Sequence, residues 1–183
     1  MSWIVLGIVV VAVLWAVSVY NGLVRRKNMV AEGWSGIDTQ LKRRADLIPN
    51  LVESVKGYAA HESSTFEDLA KLRSQSGSQS DPAQRAQTEA AITAAIGKVM
   101  AVAEAYPQLR ASENFQALQK ELADVEDQIQ LARRYYNATV RDFNTSIQQF
   151  PGNLIANAGG FKPAPFFGID NDADRAVPKV SFS

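Results

Sequence analysis

His61 and Glu62 begin the stretch His61-Glu62-Ser63-Ser64-Thr65. It opens like the helix-borne zinc-protease pattern, in which two histidines four residues apart hold the metal and the glutamate acts as base. Thr65 stands where the second histidine would be, and the chain has one histidine in all. Ligand count therefore excludes a zinc-protease centre. It also excludes a di-iron bundle site, which needs two Glu-x-x-His motifs. There is no cysteine, so no thiolate metal site or disulfide framework, and the redox compartment leaves no mark. No glycine-rich phosphate loop or Gly-x-Ser-x-Gly turn occurs, and a single histidine gives the serines no base to pair with. The expectation is a protein that is not an enzyme and carries no cofactor or metal, with His61-Glu62 as a hydrogen-bonding pair on or between helices.

The remaining polar patterns point to contact rather than reaction. Thr39, Arg43, Asp46, Asn50, Glu53 and Gly57 are spaced by four and three, which lines them along one helical face. Such a face is either a partner-binding surface or a solvated side braced by ion pairs worth about 0.3–0.5 kcal/mol each. Lys42-Arg43-Arg44, flanked by Asp38 and Asp46, reads as a solvated or ion-paired cluster. Arg133, Asn137 and Asn144 form a second polar patch beside an apolar seam, where asparagine sets packing register. The formal net charge is zero, so the chain lacks the clustered cationic excess that nucleic-acid binding requires.

These residues hang from a chain that begins as a membrane anchor. Trp3 to Val19 contains no charge, and Arg25-Arg26-Lys27 follow within two turns. At about 1.5 Å per residue the run spans roughly 26 Å, the short end of what crosses a bilayer core, so little tilt is expected. Trp3, Trp15 and Tyr20 suit the two interfaces. The rival reading is a cleaved secretory signal, since Ala16-Val17-Ser18 has a small-x-small look. Against it, no Lys or Arg precedes the apolar run and three follow it, the charge order of an uncleaved anchor with its N-terminus outside and the remainder cytoplasmic. The expected division is an anchor over 1–24, one helical bundle domain over 25–151, and an irregular tail over 152–183.

Beyond the anchor the apolar residues recur at helical spacing: Trp34, Ile37, Leu41, Ala45, Ile48, Val52, Val55, Ala59, then Phe66 and Leu69. Pro49 lies within this stripe without changing its phase, which favours a kink over a loop. Ser74 to Asp81, rich in Ser, Gln and Gly, reads as a surface connection, and Asp81-Pro82 as a cap and first helical residue. The next helix carries Ile92, Ile96, Val99, Ala103 and Tyr106 among alanines small enough for a close neighbour, and Pro107 ends it. The last begins near Ser112 and Glu113 and is the most regular. Phe115, Leu122, Ile129, Tyr136, Phe143 and Phe150 repeat every seven residues, a coiled-coil-like pattern. Its second seam, Leu118, Val125 and Ala132, drifts to Val140 and Ile147, as a straighter helix makes it do. Phe150-Pro151 closes it. The tail is too apolar, at Phe161, Phe166, Phe167, Val180 and Phe182, for an ordinary solvated segment. It is either docked, on this bundle or a second subunit, or mobile with incidental aromatics.

Several segments resemble the LemA family in their order along the chain. They are Tyr20-Asn21-Gly22-Leu23-Val24, Ile37 to Arg44, Asp46 to Val52, Val55 to Ala59, His61-Glu62, Ala103 to Pro107, Asn114-Phe115 with Leu118-Gln119, Tyr136-Asn137, Phe143-Asn144, Phe150-Pro151 and Gly160-Phe161. The resemblance implies a bacterial single-pass membrane protein with an all-α antiparallel bundle, and it brings no catalytic residue or cofactor. Two functional expectations follow. The first is a membrane-anchored scaffold that self-associates, built on the heptad seam, the alanine-rich helix and the aromatic tail with Phe161, Phe166 and Phe167. The alternative is an adaptor whose stripe of Arg43, Asp46, Asn50 and Glu53 recruits another membrane protein in envelope quality control or signalling.

Overall fold

The computed structural model describes residues 2–59 and 61–168 and is all-α, with no strand among the described residues. Helix α1 runs unbroken over Ser2–Lys56. The apolar anchor sequence thus continues without a joint into the bundle. Its side chains from Trp3 to Val17 are largely exposed, an apolar surface that the bundle does not cover. Helix α5, Glu113–Gln148, lies along α1 in the opposite direction. Leu23 packs with Phe143 and Ile147, Gly33 faces Tyr136, and Arg44 reaches Glu126. Gly33 suits that approach, because a Cβ there would sit 3.2 Å from the Tyr136 Cα, closer than an ordinary van der Waals contact.

The heptad positions Phe115, Leu122, Ile129, Tyr136 and Phe143 are buried, as are Leu118 and Val125, and the drift to Val140 and Ile147 is observed. The sixth repeat fails: Phe150 lies beyond the helix and is 79% exposed. Helices α2 (Ser63–Ser78) and α3 (Pro82–Glu104) pack as a hairpin on the distal half of α1. A single turn, α4 (Pro107–Arg110), leads to α5. Asp81 caps α3, accepting from the Gln84 amide at 2.9 Å, with Pro82 at the first helical position.

Three expectations need correction. Phe66 and Leu69 do not continue α1, because α1 ends at Lys56 and they lie on a separate helix, α2, that starts at Ser63. The Ser74–Asp81 stretch is helical up to Ser78 rather than a surface connection. Ser76 is buried and its hydroxyl donates to the Glu89 carboxylate, so the polar composition faces a polar partner. And the tail is not irregular from Gly152, since Gly152–Ala158 forms α6. Gly152 lies tight beneath α5, where a Cβ would meet the Ser146 carbonyl oxygen at 2.7 Å.

Pro49 does not break α1, and the reason is visible. Proline at 49 cannot donate to the Ala45 carbonyl four residues back. Arg73 of α2 donates its Nε–H to that oxygen at 2.7 Å. Arg73→Met should therefore destabilise the detergent-solubilised protein by about 1–2 kcal/mol. Adding Pro49→Ala, which restores the helix's own donor, should recover most of that loss. Thermal melts of the two variants read this directly, and equal melting temperatures would refute the assignment.

Candidate interaction sites

Three polar groupings lie on the bundle. Five members of the predicted stripe, Thr39, Arg43, Asp46, Asn50 and Glu53, stand exposed on α1, and the sixth, Gly57, is exposed in the turn just after it. Its contacts are loose: Arg43 reaches Glu121 at 3.4 Å, and Arg73 lies 4.0 Å from Asp46. His61 and Glu62 are exposed in the turn between α1 and α2, not on a helix. Among the described residues no group of three His, Cys, Asp or Glu side chains is placed to hold a metal ion.

The second grouping was not anticipated. Arg44, read in sequence as part of a solvated cluster, is 3% exposed. Its guanidinium meets Glu89 of α3 at 2.5 Å, Glu126 of α5 at 2.5 Å and the Thr93 hydroxyl at 2.7 Å. Ser76 of α2 donates to the other oxygen of Glu89, so one carboxylate is shared by three helices. Alongside, Arg85 of α3 pairs with Asp38 of α1 at 2.6 Å, lies 3.8 Å from Glu89 and stacks over the Trp34 ring at 5.8 Å. Helical geometry explains the misreading: consecutive residues differ by about 100°, so Arg44 points inward while Lys42 and Arg43 point out. Desolvation offsets much of the attraction in a buried network of this kind, so it adds little net stability compared with an apolar replacement, while loss of one partner is costly.

Burial by itself pushes the Asp38 carboxyl up, but hydrogen bonds from Lys42 and Arg85, and their charges, outweigh it and leave the group below its ordinary value. A depressed folded value means the contribution is present above the unfolded carboxylate range, near pH 4, and is lost as pH falls through the folded value. Asp38→Asn should therefore lower stability at neutral pH and flatten its decline below about pH 4. Melting temperature followed against pH checks this, and parallel acid limbs for both proteins would refute it.

The third grouping holds the tail. Asn137 of α5 is buried and pairs with the Phe167 backbone twice, donating to its carbonyl and accepting from its amide, each at 3.0 Å. Asn144, seven residues on, does the same for Ala164 at 2.9 and 2.8 Å. The Tyr136 hydroxyl donates to the Pro165 carbonyl at 2.8 Å, and Arg133 donates to that of Gly168. Phe167 is 4% exposed against Trp34, and Phe166 packs half-buried on the same core. Phe161 lies edge-on to Tyr20, ring centres 5.5 Å apart, and against Phe143. Residues 161–168 thus dock on their own bundle. The patch of Arg133, Asn137 and Asn144 is a backbone clamp for that strap rather than a register device between helices. Val180 and Phe182 lie outside the described residues. Between strap and α1 runs a largely apolar groove of about 450 Å³, floored by Trp34 and Tyr136, with Lys27 and Lys162 at its rim.

The model of the LemA family matches residues 33–182, most of the chain. The chain belongs to the LemA family. The match takes in the buried arginine network, the clamp and the strap, and begins after the apolar run. Among LemA-related proteins, Magnetosome protein MamQ 2 of Paramagnetospirillum magneticum is 36% identical over 73 residues, 40% of this chain and 27% of that protein. Magnetosome protein MamQ of Magnetospirillum gryphiswaldense is 24% identical over 174 residues, 81% of this chain and 64% of that one. Protein LemA of Metamycoplasma hominis is 28% identical over 137 residues, with 74% and 63% covered. The chain therefore spans less than two thirds of the length of these relatives. One helix among the described residues, α1, is long and apolar enough to cross a membrane.

Proposed function

We propose that this LemA-family protein is a single-pass membrane-anchored helical scaffold that self-associates at the membrane, with its N-terminus outside and the bundle in the cytoplasm. The observation that carries self-association is the outer face of α3. Its inner face packs Ile92, Ala95, Val99 and Ala103 into the core. On the outer face Ala83, Gln87, Ala90, Ala94, Gly97 and Ala101 are all exposed and spaced by four and three. An uncharged stripe of small side chains at heptad spacing lets a second helix approach closely. Anchoring raises the effective concentration of such weak contacts, because every copy is confined to one surface. The docked strap, with Phe167 committed to its own bundle, leaves this face as the better-supported contact than exchange of tails. Orientation rests on the exposed Arg25, Arg26 and Lys27 that follow the apolar run.

Light scattering of the detergent-solubilised chain should give a mass of several copies. Ala90→Glu with Gly97→Glu should reduce it to one copy while circular dichroism stays unchanged. A monomeric mass for the unaltered protein would refute the proposal.

An adaptor role is the second reading, supported by the exposure of Arg43, Asp46, Asn50 and Glu53 and by the loose pairing of the first two. Glu53→Lys should then abolish crosslinks to a foreign membrane protein in intact cells. Mass spectrometry of those crosslinks separates the two readings, since a scaffold yields self-crosslinks.

A further inference from the structure

The end of α5 and the short helix α6 lie where the anchor leaves the bilayer, and they present an apolar surface with no cover. Antiparallel packing fixes the level. Ile147 lies in one cluster with Leu23, and α5 ends one residue later at Gln148, so the helix stops about one turn above the last residues of the apolar run, with Phe150 two residues beyond that end. The packing of α6 agrees: Ala156 is buried in one cluster with Leu23, and Val19 and Ile155 pack on it. Phe150 is 79% and Leu154 58% exposed, four residues apart. No charged side chain occurs from Phe143 to Phe161, a stretch bounded by Asp142 and Lys162. The exposed side chains here are Phe150 and Leu154 among uncharged Gln148, Gln149 and Asn157, the mixed polar and apolar character of an interfacial surface, whereas Leu131, 50% exposed further up α5, has charged neighbours at Arg133 and Arg134.

Immediately above this surface stands a collar of cations. Arg25, Arg26 and Lys27 are exposed on α1, and Lys162 is exposed after Phe161, whose ring rests on Tyr20. None of the four makes an ion pair among the described residues. Apolar side chains below and basic ones above match a leaflet containing anionic lipid, with acyl chains under a plane of phosphates.

We propose that Phe150, Leu154 and the outer side of α6 form a second membrane contact, a foot inserted into the interfacial layer of the leaflet from which α1 emerges. It rests on the reading of α1 as a membrane span. The foot adds apolar contact beside the span and fixes the rotation of α1 about its own axis, since only one side of the bundle carries it.

The absence of cysteine allows the test. Single cysteines at Val9, Leu131, Phe150 and Leu154 are labelled with a nitroxide in the full chain, reconstituted in vesicles of phosphatidylcholine with phosphatidylglycerol. Collision rates with oxygen, which concentrates in lipid, and with a nickel chelate, which stays in water, are then compared. The expected result is an oxygen-to-nickel ratio several-fold higher at 150 and 154 than at 131, and highest at 9. A ratio at 150 and 154 equal to that at 131, with 9 still lipid-facing, overturns the foot and leaves the anchor intact. Labels at 150 and 154 shielded from both reagents, with spin–spin broadening relieved by unlabelled protein, assign the surface to a second copy and also overturn it. A water-facing label at 9 removes the anchor and the foot together.

Discussion

Glu89→Ala should lower the stability of the solubilised protein by about 3–5 kcal/mol, because it leaves the Arg44 guanidinium buried with its more deeply buried counter-charge removed. At about 2–4 °C per kcal/mol for a chain of this size, the melting temperature should fall by roughly 6–20 °C. Glu126, on the far side of Arg44 and partly exposed, compensates only in part. The informative companion is the double variant Arg44→Met with Glu89→Leu. Removing both charges together should restore most of the lost stability, since an apolar pair of similar volume escapes the desolvation cost. A loss below about 1 kcal/mol for the single variant would mean that water reaches Arg44 and that the network is a surface feature.

Asn137→Ala should detach the strap without melting the bundle. The Phe167 amide and carbonyl would each lose their partner inside a buried contact, at about 1–3 kcal/mol apiece. Hydrogen exchange should show faster exchange at Phe167 and Ala164 while α5 and α1 keep their protection. The clamp is also sensitive to alkali. Burial, with a smaller contribution from the Asp81 charge, raises the Tyr136 hydroxyl to about 12. A raised folded value means that docking is at full strength below the unfolded tyrosine value near 10 and weakens as pH climbs from there toward 12. Strap protection should therefore decline over that interval. Tyr136→Phe should show weaker protection throughout and no such decline.

Much of this architecture was legible in the sequence, because periodicity needs no knowledge of the partner. Phe115 to Phe143 announce a helix face wherever that face ends up, and the drift to Val140 and Ile147 follows from helical pitch. Asp81-Pro82 is equally local. What was lost required knowing which elements meet. Arg44 looks like its neighbours until Glu89 and Glu126, far away in sequence, are brought against it. Ser76 reads as loop until its hydroxyl finds Glu89. Pro49 looks like a hinge until Arg73 supplies the missing donor. Asn137 and Asn144 carried a usable signal, since two asparagines seven apart beside a seam present paired amides at a spacing that suits a strand laid along the helix. Their target, a backbone with no distinguishing side-chain code, gave no signal of its own.

The unbroken run of α1 from its apolar residues into the bundle would have a mechanical consequence for the proposed anchor. The 36 residues of α1 that follow Tyr20, roughly 54 Å of rod, continue it without a break. Tilting the buried part by about 20° would swing the turn at His61 sideways by about 19 Å. In the proposed membrane-anchored scaffold, a bilayer that thins or thickens would therefore move the far end of the molecule like the needle of a gauge, and neighbours clamped side by side would have to lean together.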